Sequence, residues 1–366
     1  MGREYKGVIL DGDGHIFEDR AAIKGRMPQA WHDARAMGRI GPIQELDNYH
    51  GLLSISPEGA FTDPGGVTGW SKFMDDLRIG GAALYPTDAL SVGRMVDLDQ
   101  TIAFTRAYND WMHDTYMVHD ARLQGVALLP MQEPDEAVKE LRRVVEELGM
   151  HGAMLPATGL KANLGAKEYW PIYAEADRLG CYLSVHGGAY PNLGFNDLNI
   201  FAAIHAMGHP FGITIAFTSM LFNGIFEKFP NVRYGFMEGG VGWLLMAMER
   251  SDGSYKAFRP LDPRNEYIQL SNGESVYEYI ARNIKEGRLY VGVEGEEPEL
   301  AYAAHAIGNE AFVWSSDFPH EVNTESCAAE IQEMVDNEAL TDDDLDAILH
   351  RNAARLYGFN NPEVTA

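Results

Sequence analysis

The chain has 366 residues, of which 46% are hydrophobic and 23% are charged, enough for a large apolar core. Its net charge of −25 argues against nucleic acid and anionic membranes as partners, because both are bound through a cationic surface. Two cysteines, Cys181 and Cys327, cannot form a disulfide framework, which indicates a reducing compartment. With no long apolar segment resembling a signal peptide or a membrane helix, the sequence predicts a cytoplasmic protein.

Short apolar runs alternate along the chain with segments that are mostly long enough to form crossover helices. This alternation predicts parallel strands near residues 7–11, 81–85, 125–129, 152–155, 181–186, 232–237, 289–293 and 312–316. Eight such strands indicate an α/β (TIM-type) barrel. We expect residues 1–360 to form one domain and residues 361–366 to be a flexible tail.

Two helices have clear sequence signals. Pro134 predicts a first turn, and it is followed by an apolar face that starts at Ala137 and Leu141. Thr341 with Asp344 three residues later predicts a capped start of the last helix, which Gly358 ends.

Two stretches are longer than ordinary connections. Residues 20–75 follow the first predicted strand and contain His32 and His50, and residues 188–212 follow the fifth and contain His205 and His209. Long insertions at these places often cover the mouth of a barrel. We therefore predict that both stretches form a lid.

Three of the predicted strands end in residue types that bind metals. The first runs into Asp13 and His15, the fifth into His186, and the last into Asp317. Taken singly, each has an ordinary alternative: a turn for the Asp-Gly-Asp-Gly sequence, a hydrogen-bonded histidine, or a helix cap. Their joint placement at strand ends favours a metal site, because barrel active sites are built at the C-terminal ends of several strands.

Seven segments, in order along nearly the whole chain, resemble a known family. The chain is similar to the amidohydrolase-related metal-dependent hydrolases and decarboxylases that include aminocarboxymuconate semialdehyde decarboxylase and the dihydroxybenzoate decarboxylases. The matching segments are 13–18 (DGHIFE), 106–111 (RAYNDW), 184–186 (SVH), 223–230 (NGIFEKFP), 238–243 (EGGVGW), 249–252 (ERSD) and 315–320 (SSDFPH). The resemblance implies a distorted (β/α)8 barrel and a divalent metal bound by Asp13, His15, His186 and Asp317. Zinc is the first expectation for this metal, with manganese and iron left open.

One position departs from the family pattern. Glu238 stands where related decarboxylases often carry a proton-handling histidine. We expect hydrolysis or non-oxidative decarboxylation of a small carboxylate-bearing molecule, with Asp317 moving a proton and Glu238 and His205 orienting substrate or proton. The remaining candidates, which contact substrate or support the ligands, are Glu18, His209, Glu294 and His320.

Two alternatives stay open at this point. Extra carboxylates and histidines, including Glu18, Glu238 and Glu294, could hold two iron or manganese ions and activate oxygen on the same fold. The chain could also be a non-catalytic, metal-binding subunit of a hetero-oligomer. Otherwise a homo-oligomer is the expected assembly, and the only partner expected besides that is a small-molecule substrate.

Overall fold

The computed structural model describes residues 3–32, 62–188, 193–195, 198, 200–271, 273–295 and 297–359. His50 and the predicted tail, 361–366, lie outside these residues. Among the described residues, no helix has both the length and the apolar character needed to cross a membrane.

Parallel strands form the centre of the fold. In the described part of the chain they are β1 (Ile9–Ile16), β2 (Ile79–Pro86), β3 (Leu123–Gly125), β4 (Ala127–Leu128), β5 (Gly152–Pro156), β6 (Tyr182–His186), β7 (Arg233–Met237), β8 (Leu289–Val293) and β9 (Phe312–Trp314). They pair in the orders β1-β2-β3 and β4-β5-β6-β7-β8-β9, each strand beside its neighbour in sequence. Every one of these pairs is parallel, as the alternating sequence pattern predicts.

Backbone hydrogen bonds connect the two sheets at both junctions. At one junction, the amide of Val126, between β3 and β4, donates to the carbonyl of Leu84 at 3.0 Å. At the other, the amide of Asp317 donates to the carbonyl of Asp13 at 2.8 Å, and that of His15 to Phe318 at 2.7 Å. The first and last strands are therefore tied together beside the predicted ligands. The predicted third strand, 125–129, is the one that is interrupted.

Helices connect the strands. They are α1 (Arg20–Arg26), α2 (Gln29–His32), α3 (Gly66–Leu77), α4 (Leu98–Met112), α5 (Pro134–Glu146), α6 (Trp170–Leu179), α7 (Phe201–Phe222), α8 (Ile225–Lys228), α9 (Gly242–Phe258), α10 (Val276–Lys285), α11 (Leu300–Ile307), α12 (Thr324–Asp336), α13 (Asp342–Asp346) and α14 (Asn352–Tyr357). The Pro134 helix and the Thr341 capping box are confirmed. A π-helical segment, Ala347–Arg351, interrupts the last predicted helix before Gly358 ends it at φ 71°.

The first strand extends beyond its predicted end. β1 continues through Asp11-Gly12-Asp13-Gly14-His15, so the turn alternative for this sequence is wrong. A Cβ atom on Gly12 would lie 2.2 Å from Val313 Cγ1, and one on Gly14 would lie 2.2 Å from Trp70. The glycines are needed here for close packing rather than for chain reversal.

The second predicted insertion is largely helical. From Phe201 onward, residues 188–212 belong to the long helix α7, so His205 and His209 lie on a helix rather than in a loop. Pro210 lies inside this helix, although proline removes a helical hydrogen bond. Burial of Ile213 and Met220 against the core stabilises the helix in spite of that loss.

Candidate metal centre

Asp13 and His15 form the first side of the candidate centre. Both lie on β1 two residues apart, and both are buried. Alternate residues of a strand point to the same face. His15 Nε2 accordingly lies 3.6 Å from Asp13 Oδ1. The hydrogen bond from the Asp317 amide to the Asp13 carbonyl holds this part of the strand next to the end of β9.

His186 approaches the same aspartate from β6. Its Nε2 atom lies 3.3 Å from Asp13 Oδ2, whereas His15 faces Oδ1. The other ring nitrogen of each histidine contacts a backbone carbonyl: His15 Nδ1 lies 2.8 Å from Pro86 O, and His186 Nδ1 lies 2.9 Å from Gly187 O. A carbonyl only accepts hydrogen bonds, so Nδ1 carries the proton in both rings. Both Nε2 lone pairs then face the cluster, as metal-binding histidines require.

Asp317 and His320 lie on one side of the centre, next to His15. The Oδ1 atom of Asp317 lies 3.2 Å from His15 Nε2 and 2.9 Å from His320 Nδ1. Although burial acts to raise it, the positive charge of His320 and the contacts with both imidazoles hold the pKa of Asp317 well below its ordinary value. Burial lowers the pKa of His320, but the charge of Asp317 outweighs burial and raises it to about 9. We call Asp317 and His320 the Asp317 flank.

Glu238 and His209 lie on the opposite side, and we call them the Glu238 flank. Glu238 Oε2 lies 3.4 Å from His186 Nε2 and 3.0 Å from His209 Nδ1. Burial acts to raise its pKa, but the charges of His209 and His186 lower it to about 2. Glu238, with φ 59°, and Asp317, with φ 53°, both have left-handed backbone conformations. Such conformations are costly for residues other than glycine and occur most often at functional sites.

Unpartnered buried atoms show that the residues fit a metal ion. Within the described residues, Asp13 Oδ1, His15 Nε2 and His186 Nε2 are buried and make no hydrogen bond. One ligand atom each from Asp13, His15 and His186 lies within 4.8 Å of the others. Burying such groups without a partner is unfavourable, and a divalent cation that accepts nitrogen and oxygen ligands would satisfy them.

Asp11 is a supporting residue that the sequence analysis missed. It is fully buried and accepts hydrogen bonds from the Ser316 amide at 3.0 Å and the Ser316 hydroxyl at 2.6 Å. Burial raises its pKa to about 6. The available signal was the alternation of Asp11, Asp13 and His15, which places all three on one face of the strand.

Three predicted site residues lie outside the ligand cluster. His205, on α7, has 41% of its side chain exposed and pairs with Glu321, His205 Nε2 being 3.1 Å from Glu321 Oε1. Glu18 accepts the amides of Asp88 at 3.1 Å and Ala89 at 2.8 Å. It thereby anchors the turn after β2.

The turn after β2 contacts the centre through the hydroxyl group of Thr87. Thr87 Oγ1, next to the amides that Glu18 binds, lies 3.0 Å from His320 Nε2. The third outlying residue, Glu294, follows β8. Desolvation and the charge of Asp317 raise the pKa of Glu294 to about 8, although the residue is exposed, which weakens both effects.

The family model for amidohydrolases matches residues 62–359. The chain belongs to the amidohydrolase family. The family resemblance and the barrel fold predicted from the sequence are therefore confirmed.

Curated relatives of this amidohydrolase are decarboxylases. It is 26% identical to the 2-amino-3-carboxymuconate-6-semialdehyde decarboxylase of Dictyostelium discoideum, over 58% of this chain and only 55% of that protein. It is also 26% identical to the gamma-resorcylate decarboxylase of Rhodococcus jostii (strain RHA1), over 78% of this chain and 85% of the relative. These names agree with the predicted enzyme class of metal-dependent hydrolase or non-oxidative decarboxylase.

Solved structures share the fold over almost the full length. The 5-carboxyvanillate decarboxylase of Novosphingobium aromaticivorans DSM 12444, complexed with manganese and 4-hydroxy-3-methoxy-5-nitrobenzoic acid, has a TM-score of 0.74 at 16% identity, covering 97% of each chain. The dihydroxybenzoic acid decarboxylase of Polaromonas sp. JS666, with manganese and 2-nitroresorcinol, has a TM-score of 0.67 at 19% identity, covering 96% of this chain and 97% of that one. At these identities the likeness establishes the fold alone.

Proposed function

We propose that this protein is a metal-dependent enzyme that removes CO2 from a small carboxylate-bearing molecule without oxidation. The observation that carries the proposal is the convergence of Asp13, His15, His186 and Asp317, with both Nε2 lone pairs facing inward. A site built from buried carboxylates and imidazoles is suited to bind a cation and, through it, an anionic substrate.

The proposed substrate class comes from the relatives. Those named for their activity decarboxylate gamma-resorcylate, 5-carboxyvanillate or an aminocarboxymuconate semialdehyde. The first two are hydroxylated aromatic carboxylates. We therefore place a hydroxylated aromatic acid first among the substrates to test and keep hydrolysis, the other half of the predicted class, as an outcome of that test.

Asp13, His15, His186 and Asp317 would hold the metal. When bound, the metal polarises a substrate oxygen and stabilises negative charge that develops next to the departing carboxylate. The chain's own residues fix the imidazole orientations through Pro86 O and Gly187 O.

The Asp317 flank supplies the proton that decarboxylation requires. When the bond between carbon and the carboxylate breaks, its electron pair stays on carbon and a proton forms the new C–H bond. His320, whose Nδ1 lies 2.9 Å from Asp317, is the proposed holder of that proton, and Asp317 relays it to the reacting carbon. Thr87 Oγ1 fixes the far side of the His320 ring.

The identity of the metal belongs to this proposal. Two imidazoles and two carboxylates are ligands for zinc, the first expectation from sequence, and also for manganese. Manganese accompanies the two solved decarboxylases described above, so it is the ion to test first.

The experiment uses the full chain loaded with Mn2+ or Zn2+ and incubated with 2,6-dihydroxybenzoate and with 5-carboxyvanillate. The expected result is one CO2 released per molecule of decarboxylated product, at the same rate with and without oxygen. CO2 release or product formation that requires oxygen would overturn the proposal in favour of oxygenase chemistry. Turnover of amide or ester analogues without CO2 release would assign the site to hydrolysis.

A further inference from the structure

We propose that the Glu238 flank is a second cation site, so that the centre holds two divalent ions with Asp13 between them. This inference goes beyond decarboxylation and does not depend on it. The second ion would be bound by Glu238, His209 and His186, with Asp13 completing its inner side. Because His186 has one free lone pair, it would serve the second ion when both are bound, which leaves Asp13, His15 and Asp317 for the first.

The two oxygens of Asp13 face in different directions. Oδ1 faces His15 Nε2 at 3.6 Å, and Oδ2 faces His186 Nε2 at 3.3 Å. A carboxylate that binds one ion through one oxygen needs only one histidine, His15 or His186, beside it. A carboxylate with a separate histidine at each oxygen has the arrangement of a bridge between two ions.

The ligand atoms divide into two groups on either side of Asp13. Atoms of His15, Asp317 and His320 lie within 4.8 Å of one another, and so do atoms of His186, His209 and Glu238. The group on the Glu238 side combines two imidazoles with one carboxylate, a combination that binds iron and also suits zinc or manganese. One ion with four ligands would use Asp13, His15, His186 and Asp317 and would leave the carboxylate of Glu238 unused.

The surroundings of Glu238 suit a ligand better than a simple ion pair. Its Oε2 atom is buried between two imidazole nitrogens, 3.0 Å from His209 Nδ1 and 3.4 Å from His186 Nε2. The left-handed backbone at Glu238 is a local strain that an ion pair does not require. Both features become favourable if a cation is bound between the carboxylate and the imidazoles.

Gly187 allows His209 to reach this position. A Cβ atom at residue 187 would lie only 2.0 Å from His209 Nδ1, the ring atom that faces Glu238. The chain therefore has no side chain where one would push this imidazole away from the flank. Since His209 comes from α7 and Gly187 from the end of β6, the close approach is a tertiary one, not imposed by local sequence.

The test is a metal count on the purified full chain, stripped and then reconstituted with Mn2+ alone. We expect about two equivalents for the wild type and about one for Glu238→Gln, because a neutral amide is a poorer ligand for this cation. Electron paramagnetic resonance should show spin-coupled manganese in the wild type and an isolated ion in the variant. Glu321→Gln, which removes a carboxylate paired with His205 instead, is the matched control and should keep two equivalents.

Gly187→Ala is a second variant, because it displaces His209 without removing any ligand. It should also lose about one equivalent, and thermal unfolding of each variant verifies that it is folded. One equivalent in the wild type, or an unchanged count in both folded variants, would overturn the proposal. Since no substrate is present, the metal count is independent of whether the decarboxylation assay succeeds.

Discussion

The two flanks of the metal centre are built from the same residue types in different ways. On each, a carboxylate with a left-handed backbone stands about 3 Å from a histidine: Asp317 with His320 at 2.9 Å, and Glu238 with His209 at 3.0 Å. Asp317 and His320 are three residues apart in one loop. Glu238 and His209 come from different elements, the end of β7 and the helix α7.

The difference shows how the two flanks are stabilised. The Asp317 flank forms once a single short loop has folded, because both of its residues lie in that loop. The Glu238 flank forms only when α7 packs correctly against the barrel. The first flank should therefore tolerate distant changes, and the second should respond to the packing of α7. Substitutions within and outside the flanks test this contrast.

Asp13 lies between the flanks, so its loss should have the largest effect. Asp13→Asn removes the charge that faces both His15 and His186. We expect bound metal to fall below one equivalent and turnover to fall by at least about 10³-fold. Metal analysis and steady-state kinetics measure this, with the exposed Asp114→Asn as control. Full metal content in Asp13→Asn would show that the flanks bind metal independently of it.

Asp317→Asn should damage chemistry more than folding. The amide cannot relay a proton, so we expect turnover to fall by about 10²–10⁴-fold. The thermal unfolding midpoint should change little, because the hydrogen bond from the residue 317 amide to the Asp13 carbonyl does not involve the side chain. Near-normal turnover in a metal-loaded variant would exclude Asp317 from proton transfer.

His320→Gln should have a smaller effect that depends on pH. If His320 holds the proton, the wild-type rate should fall as pH rises past about 9, where the raised pKa of His320 leaves the ring neutral. The variant should be about 10-fold slower at pH 7 and should lose that alkaline limb. A pH–rate profile tests this; an unchanged alkaline limb would assign it to another group.

Glu175, a carboxylate held by arginines away from the metal centre, should give the smallest effect when it is replaced. It serves as a reference for the carboxylates of the two flanks. Hydrogen bonds from Arg178, with help from Arg142, lower the pKa of Glu175 to about 2. A depressed carboxyl pKa stabilises the fold above the unfolded value, near 4.5, and this contribution disappears as pH falls toward 2. Because both arginines are about half exposed, Glu175→Gln should cost only about 1 kcal/mol at pH 7.

Urea unfolding at pH 7 and pH 3 measures this contribution, and the difference between variant and wild type should shrink at pH 3. Metal content should not change, in contrast to Glu238→Gln. A loss of metal in Glu175→Gln would mean that carboxylates outside the flanks also affect the centre.

The same contrast explains what the sequence could predict. Strand ends followed by Asp13, His15, His186 and Asp317 were recognisable because barrel strands bring their C-terminal ends together. The supporting role of Asp11 could not be predicted, because its hydrogen-bond partner, Ser316, is 305 residues away in sequence.

The pairing of Glu238 with His209 could not be predicted for a related reason. Pro210 concealed the helix that carries His209, and only tertiary packing places that helix beside β7. Glu238 itself stood out as a departure from the family pattern, but one residue does not reveal its partner. Local motifs thus identified one flank, and non-local contacts defined the other.

The bonds that join the two ends of the chain have a consequence for synthesis in the cell. Asp13 and His15 leave the ribosome early, but the Asp317 amide and the Phe318 carbonyl that hold them in place are made near the end of translation. The Tyr357 hydroxyl, which donates to the Gly12 carbonyl, is made later still. We expect a nascent chain to lack a finished ligand set until almost all of it has emerged. Metal uptake would then mark completion of the polypeptide and should be absent from ribosome-arrested chains that stop before residue 317.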